Sequence, residues 1–355
     1  MSEDHDVLFL PGPVEVDPEL RAILAMPAIG HRSQRCKAEI EKVCAALQGL
    51  FRTRSAALFE NCPATALMEA SIRNLVTQRV LHLTCGAFSE RWHLISQSCG
   101  RSADALAAPW GVANDVASLE RALRENGPYD AVAITHNETS TGVLNPLADL
   151  CATVRRVAPQ TLILVDVVTS LAGCDVRFDD WGIDVAFAGT QKCLALPPGL
   201  TVYAVSERAL AKAATVERRG WLLDFVRASQ GLAKAETVAT PSVPLIFALS
   251  RQLERIAAEG LERRFARHEA MQRQTAEWAN AHGFTFFPAD PAARSRTVSC
   301  LNASGHDVDE LANRARAARF VIDRGYGALK GKTFRIGHMG DHDEARLALL
   351  LASMA

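Results

Sequence analysis

The sequence predicts an α/β protein: a large domain built on a mostly parallel sheet, followed by a smaller C-terminal α+β domain. Three observations carry that prediction. Short β-branched, apolar runs alternate with helical patterns through the first 240 residues, as βαβ units require. The texture changes after Thr240-Pro241-Ser242-Val243-Pro244, where two long helical patterns succeed each other. At 355 residues, the chain also exceeds what a single hydrophobic core usually serves.

The elements follow in order. Ser33–Phe51 places Cys36, Ile40, Val43, Leu47 and Leu50 on one stripe, with Ser33 as a candidate N-cap. Val80–Thr84, Ala131–His136, Thr161–Asp166, Asp184–Gly189 and Leu200–Val205 read as strands buried on both faces. Beyond Pro244 one helix stops at Gly260 and the next runs through Phe265, Met271 and Trp278 to Gly283. Thr297–Leu301, Val308–Phe320 and Thr333–Gly337 then read as strand, helix and strand. The expected division is an N-terminal segment (1–20), a large domain (21–245) and a small C-terminal domain (246–355).

Composition removes whole classes of function. Apolar residues at 48% and charged residues at 22% exclude a disordered or fibrous chain. Lys+Arg 39 against Asp+Glu 40 gives no field that advertises nucleic acid or an anionic membrane as partner. No apolar run approaches the roughly 20 residues that span a bilayer. The first ten residues are acidic where a secretory signal is basic. Nine cysteines without a C-x-x-C suit a reducing cytoplasm, the expected location.

Several short motifs fail on their context. No G-x-G-x-x-G occurs, which weakens a nicotinamide-dehydrogenase reading. Gly331-Lys332-Thr333 ends like a phosphate loop, but the required glycine falls at Tyr326 and a strand follows. His338, Asp341 and His342 have metal-like spacing, yet Gly340 puts a turn where such a motif needs a helix, so they read as loop histidines and no metal is expected. Two glycosylation acceptors, at Asn137 and Asn302, lack any sign of secretion.

The chemistry lies on the strand ends. The chain has seven lysines, and Lys192 is the only one between residues 43 and 211. It follows an apolar strand in Gly189-Thr190-Gln191-Lys192, at the edge where open α/β sheets bind ligands. Desolvation there disfavours the ammonium and frees the amine as a nucleophile, although most lysines are simply solvated. Asp166 ends the apolar run Thr161–Val165 on the same rim, where an unpaired charge costs several kcal/mol. A cofactor with a cationic ring nitrogen supplies a partner, and pyridoxal 5′-phosphate (PLP) is the common case. A helix cap or an internal ion pair would serve Asp166 as well. Asn137–Gly142 brings a polar, glycine-ended loop to the rim, compatible with ligand binding or with ordinary turn chemistry.

These residues also carry a family resemblance. HNETSTGVLNP (136–146), VDVVTSLAG (165–173), Gly182-Ile183-Asp184, GTQKCLALPPG (189–199) and FRIGHMG (334–340) resemble class V, fold-type I PLP aminotransferases. PGPVEVDPEL (11–20) and GHRS (30–33) match the N-terminal segment of the alanine–glyoxylate, serine–glyoxylate and serine–pyruvate branch. The similarity covers essentially the whole chain, in the family's order.

The resemblance implies roles. Lys192 would hold PLP covalently and shuttle a proton, and Asp166 would pair with the ring nitrogen. Phe88 would stack on the ring, or else only pack the core. Thr139 would lie near the ring hydroxyl, while Gln191, Ala64 and Thr65 would contact the phosphate. Thr240 would reach that phosphate from a second subunit of a homodimer. Arg335 would grip the substrate α-carboxylate, with Gly12, His31 and Arg32 nearby. The implied reaction is transfer of an amino group from serine or alanine to glyoxylate or pyruvate.

The same His31-Arg32-Ser33 leaves a phosphoserine or other acidic substrate open; equally, the stretch only shapes a helix entrance. A cysteine desulfurase would have histidine before the lysine and over the ring, where this chain has Gln191 and Phe88. A non-catalytic PLP-fold protein is opposed by Lys192, Asp166 and Arg335 occurring together. The chain departs from the family at the phosphate turn, where Pro63-Ala64-Thr65 stands in place of Ser-Gly-Thr, and at Thr237, where relatives often have tyrosine. Pro63 lacks an N–H and a hydroxyl, and Ala64 lacks glycine's freedom of approach, which predicts a weaker grip on PLP.

Overall fold

The computed structural model describes residues 5–355; the first four residues of the predicted N-terminal segment lie outside the described residues. In chain order the described strands are β1 (Val7–Leu8), β2 (Ala56–Glu60), β3 (Arg79–Thr84), β4 (Ser102–Ala107), β5 (Ala131–Thr135), β6 (Asn137–Glu138), β7 (Val143–Leu144), β8 (Leu162–Asp166), β9 (Val185–Gly189), β10 (Thr201–Val205), β11 (Val298–Asn302), β12 (Phe320–Val321) and β13 (Thr333–Gly337). The helices are α1 (Pro18–Leu24), α2 (Gln34–Phe51), α3 (Ala64–Leu75), α4 (Ala87–Ser98), α5 (Val116–Asn126), α6 (Leu147–Val157), α7 (Glu207–Thr215), α8 (Phe225–Leu232), α9 (Val243–Glu259), α10 (Leu261–Ala281), α11 (Val308–Ala317) and α12 (Glu344–Met354).

Seven strands form the central sheet in the order β2-β10-β9-β8-β5-β3-β4. Only β10 runs antiparallel to its neighbours, so β2, β3, β5, β8 and β9 all end on one rim. Their apolar residues alternate between two cores, as the period of two in a strand demands. Leu81, Val132, Ile134, Ile163, Val165 and Ala186 face α2, α6 and α9. Val80, Ala131, Ala133, Leu162, Leu164 and Val185 face α3, α7 and α8. Burial on both faces explains why these strands are unbroken apolar runs.

A third core gathers α10, α11, α12, β11 and β13, and Phe9 from the N-terminal segment joins it. That segment is tied in by β1, which pairs with β12, and by the Gly337 amide, which donates to the Phe9 carbonyl at 2.7 Å. Among the described residues no helix is long and apolar enough to cross a membrane.

One reading needs correction. The helix expected over Val308–Phe320 ends at Ala317: Arg319 takes a positive φ of 67°, and Phe320 turns into a strand whose partner is β1. His338 and His342 lie in the loop between β13 and α12, as expected, and both are buried. His338 Nε2 meets Ser299 Oγ at 2.9 Å, and His342 Nε2 meets the Leu8 carbonyl at 2.8 Å.

Candidate active site

Each polar group of the site sits at or just past the end of a strand on the common rim. Lys192 lies three residues past β9, in a loop shaped by Thr190, whose hydroxyl donates to the Pro197 carbonyl at 2.8 Å. Its Nζ donates to the Pro11 carbonyl, so the N-terminal segment lies directly against it. Gly12 makes this approach possible. Its φ is +109°, and a β-carbon there would fall 2.7 Å from Lys192 Nζ. Burial and, after it, the Arg335 cation together lower the Lys192 amine to about 8, against the opposing effect of Cys193, Asp166 and Asp323.

Asp166 terminates β8 with its side chain buried. Its Oδ1 accepts the Val168 amide at 2.8 Å. No cation lies within ion-pair distance among the described residues. Burial pushes the carboxyl up to about 7; the Val168 amide opposes, Glu138 adds to the rise, and Lys192 and Arg91 oppose it. A buried carboxylate left in this condition fits a cationic N–H group supplied from outside the chain.

Glu138, fully buried in the loop after β5, is the anchor that sequence reasoning missed. It accepts the amides of Phe88 and Ser89 at 3.2 and 2.9 Å, the Ser89 hydroxyl at 2.9 Å and the Ser140 hydroxyl at 2.6 Å. The carboxylate thereby caps α4 at its positive end and fixes Phe88 on the rim. Gly86 leaves room for it, since a β-carbon there would meet Glu138 Cγ at 2.5 Å. Phe88 stacks on Tyr326 with centroids 5.3 Å apart and planes inclined at 19°.

The same loop presents Thr139, whose hydroxyl shares a 2.5 Å hydrogen bond with Thr169 and whose carbonyl accepts Arg335 Nη1 at 2.9 Å. Arg335 is buried on β13, with Nε donating to Asp323 Oδ1 at 2.8 Å. Its guanidinium lies 5.3 Å from the Tyr326 ring centre. Thr169, Asp323 and Tyr326 had no sequence signal, because their contacts come from chain crossings that no local pattern encodes.

Ala64 and Thr65 open α3 immediately after β2, with Pro63 as an N-cap that makes no side-chain cap. Gln191 stands beside Lys192, its carbonyl accepting the Val14 amide at 3.3 Å. Lys192, Asp166, Gln191, Phe88, Thr139, Ala64 and Thr65 therefore share one rim, with Gly12 against Lys192 and Arg335 tied to Thr139. His31, Arg32 and Thr240 do not join them within the chain. They line a cleft of about 350 Å³ with Trp221, Glu236, Thr237, Val238 and Ala239. Asn61, at the head of the β2–α3 turn, tethers that segment by accepting the Ser242 amide at 2.9 Å. Among the described residues, no three His, Cys, Asp or Glu side chains are grouped to hold a metal ion.

Comparison with known proteins shows the family of the chain. Residues 32–326 match the class-V aminotransferase family. A protein of a Synechococcus species named soluble hydrogenase, small subunit, is 33% identical over 95% of this chain and 89% of its own. The L-aspartate–glyoxylate aminotransferase of Paracoccus denitrificans is 31% identical, covering 95% of this chain and 87% of its own. The serine–glyoxylate aminotransferase of Arabidopsis thaliana is also 31% identical, with 98% and 88% covered. Among solved structures, an aspartate aminotransferase of Thermus thermophilus superposes with a TM-score of 0.91 at 30% identity, covering 98% of this chain and 97% of that one. An alanine–glyoxylate aminotransferase of Nostoc gives 0.92 at 27% identity, with 100% and 95% covered.

With the family match and the solved aminotransferase structures, this doubly covered α/β sheet is that of a fold-type I PLP enzyme. The chain belongs to the class-V aminotransferase family and is a PLP-dependent aminotransferase.

Proposed function

We propose that the chain moves the amino group of a small amino acid, serine or alanine, to a small 2-oxo acid, glyoxylate or pyruvate, in a ping-pong cycle. The observation that carries this reading is a lysine amine lowered to about 8 on the same rim as a buried carboxylate without a cationic partner. The names of the Arabidopsis and Nostoc relatives support the substrate pair.

PLP, when bound, supplies an electron-withdrawing ring that stabilises negative charge at the substrate Cα. The chain's residues do the rest. Lys192 holds the cofactor between turnovers and, once displaced, carries the proton that leaves and returns at Cα, so one base serves both half-reactions. Asp166 would accept the ring N–H and keep that nitrogen protonated. Phe88 would cover the ring, and the Thr139 hydroxyl would serve the ring oxygen. The head of α3, the Thr65 hydroxyl and Gln191 would hold the phosphate. Arg335 grips the α-carboxylate beside Gly12.

The same reading makes the protein a cytoplasmic homodimer, with Thr240, His31 and Arg32 serving the partner's site. Their segregation into a separate cleft, beside Trp221 and Leu222 at 58% and 48% exposure, supports a partner on that face. It divides the chain into an entrance segment (1–20), a large domain (21–245) and a small domain (246–355).

The test is single-turnover conversion of the PLP-loaded protein by serine and by alanine, followed by recovery with glyoxylate or pyruvate. Conversion by neither donor would refute the substrate assignment, while conversion by phosphoserine alone would move it to the acidic class.

A further inference from the structure

Arg335 does not present a free guanidinium. Asp323 and Arg335 lie on adjacent chain segments and exchange both backbone hydrogen bonds, Asp323 amide to Arg335 carbonyl at 3.1 Å and the reverse at 2.9 Å. That pairing puts their side chains together, Nε to Oδ1 at 2.8 Å, with the arginine only 4% and the aspartate 25% exposed. The Gly325 amide donates to the same Oδ1 at 2.8 Å, which fixes the carboxylate's position. Oδ2 accepts no hydrogen bond among the described residues. Asp323 also acts to raise the Lys192 amine, so its charge is felt at the reacting end of the site.

A substrate α-carboxylate approaching Arg335 therefore finds the Nε edge occupied and Nη1 shared with the Thr139 carbonyl. What remains is the Nη2 end, enough for one carboxylate. With Arg335 and Asp323 cancelling, an α-carboxylate bound to the pair leaves that group net negative, and a second carboxylate close to Asp323 meets like charge in partly desolvated surroundings. The other cations nearby are Lys192, which PLP would occupy, and Arg91. Arg91 is engaged elsewhere, donating to the Tyr326 hydroxyl at 2.8 Å and lying 4.9 Å over the Phe88 ring.

We propose that Asp323 is a specificity-determining residue that turns away dicarboxylic donors and selects amino acids with neutral side chains. The inference rests on Arg335 as the α-carboxylate site. It also separates this chain from its Paracoccus relative, whose name gives L-aspartate as a substrate.

The test compares kcat/KM for alanine and aspartate, with glyoxylate as acceptor, in the PLP-loaded wild type and in Asp323→Asn and Asp323→Glu. Asparagine keeps an acceptor for Arg335 Nε and the Gly325 amide but removes the charge. The wild type should favour alanine by at least about tenfold. Asp323→Asn should shrink that preference at least about tenfold, chiefly through the KM for aspartate, and Asp323→Glu should retain most of it. A wild-type preference for aspartate, or a ratio unchanged in Asp323→Asn, overturns the proposal.

Inhibition of the wild type by unreactive acids keeps the test open if a variant fails to fold: propionate should bind more tightly than succinate, and the reverse order overturns the proposal. Arg335→Ala separates the two levels of argument. If it leaves the KM for alanine unchanged, the α-carboxylate assignment itself has failed. If it raises that KM while Asp323→Asn leaves the ratio alone, only the role of Asp323 has failed.

Discussion

Lys192 and Asp166 owe their chemistry to the same physical cause, which acts in opposite directions on an amine and a carboxyl. Burial disfavours both charged forms, lowering the amine from 10.5 to about 8 and raising the carboxyl from 3.8 to about 7. The rate of PLP capture by the cofactor-free protein should therefore rise with pH through about 8 and then level off. A rate still climbing toward pH 10 in stopped-flow absorbance would show an ordinary lysine.

For Asp166 the linkage runs the other way. The folded protein binds the proton more tightly than the unfolded chain, so stability falls as pH rises from 3.8 to about 7, and the full cost is felt above that. Asp166→Asn should raise the melting temperature of the cofactor-free protein at pH 8, by the recovery of about 1–2 kcal/mol, while abolishing useful transamination. Unchanged or lower stability by calorimetry at pH 8 would show that the carboxylate is not strained.

At the scale of elements, the site is a set of strand ends tied together by a few cross-links. Glu138 joins the loop after β5 to the head of α4, and Arg335 joins β13 to the same loop. Gly12→Ala should cost about 1–3 kcal/mol and disturb Lys192, because its φ of +109° disfavours alanine and the new β-carbon would sit 2.6 Å from Lys192 Cδ. Slower PLP capture with an intact far-ultraviolet spectrum is the expected signature.

The head of α3 gives the opposite kind of prediction. Pro63→Ser with Ala64→Gly should supply the missing hydroxyl and close approach, and slow cofactor loss on dialysis several-fold. Equal retention by both proteins would mean that Pro63-Ala64 does not weaken the grip.

The elements also show what could be read in advance. β8 and β9 are apolar runs because both faces are covered, and that pattern made Asp166 and Lys192 stand out. β4, Ser-Ala-Asp-Ala-Leu-Ala, is an edge strand with a half-exposed face, and its composition does not distinguish it from a loop. β2 sits at the other edge and is one residue shorter. The Asp323–Arg335 pair depends on two segments twelve residues apart lying side by side, which periodicity within either segment does not record. Thr139, Phe88 and Arg335 were assigned through resemblance, and their partners Thr169, Tyr326 and Asp323 could not be.

For the whole molecule, the N-terminal segment and the C-terminal core behave as one wall of the site. Phe9 packs into the C-terminal core while Pro11 and Gly12 touch Lys192. The exposed Trp221 lines the cleft that holds His31, Arg32 and Thr240, and the exposed Leu222 follows it in the chain. Trp221→Glu with Leu222→Glu should therefore shift a dimer toward monomer in sedimentation velocity and reduce PLP retention with it. A wild type that sediments as a monomer at micromolar concentration and still turns over would remove Thr240 from the partner's site.

The measurement that bears most directly on the central claim is the visible spectrum of the PLP-loaded protein during stepwise addition of alanine and serine, beside a Lys192→Ala control. The account predicts a lysine-dependent absorption band that one of these donors converts to the pyridoxamine form and that glyoxylate or pyruvate restores. A band of equal strength in the Lys192→Ala protein, or one that no amino acid alters, would contradict it.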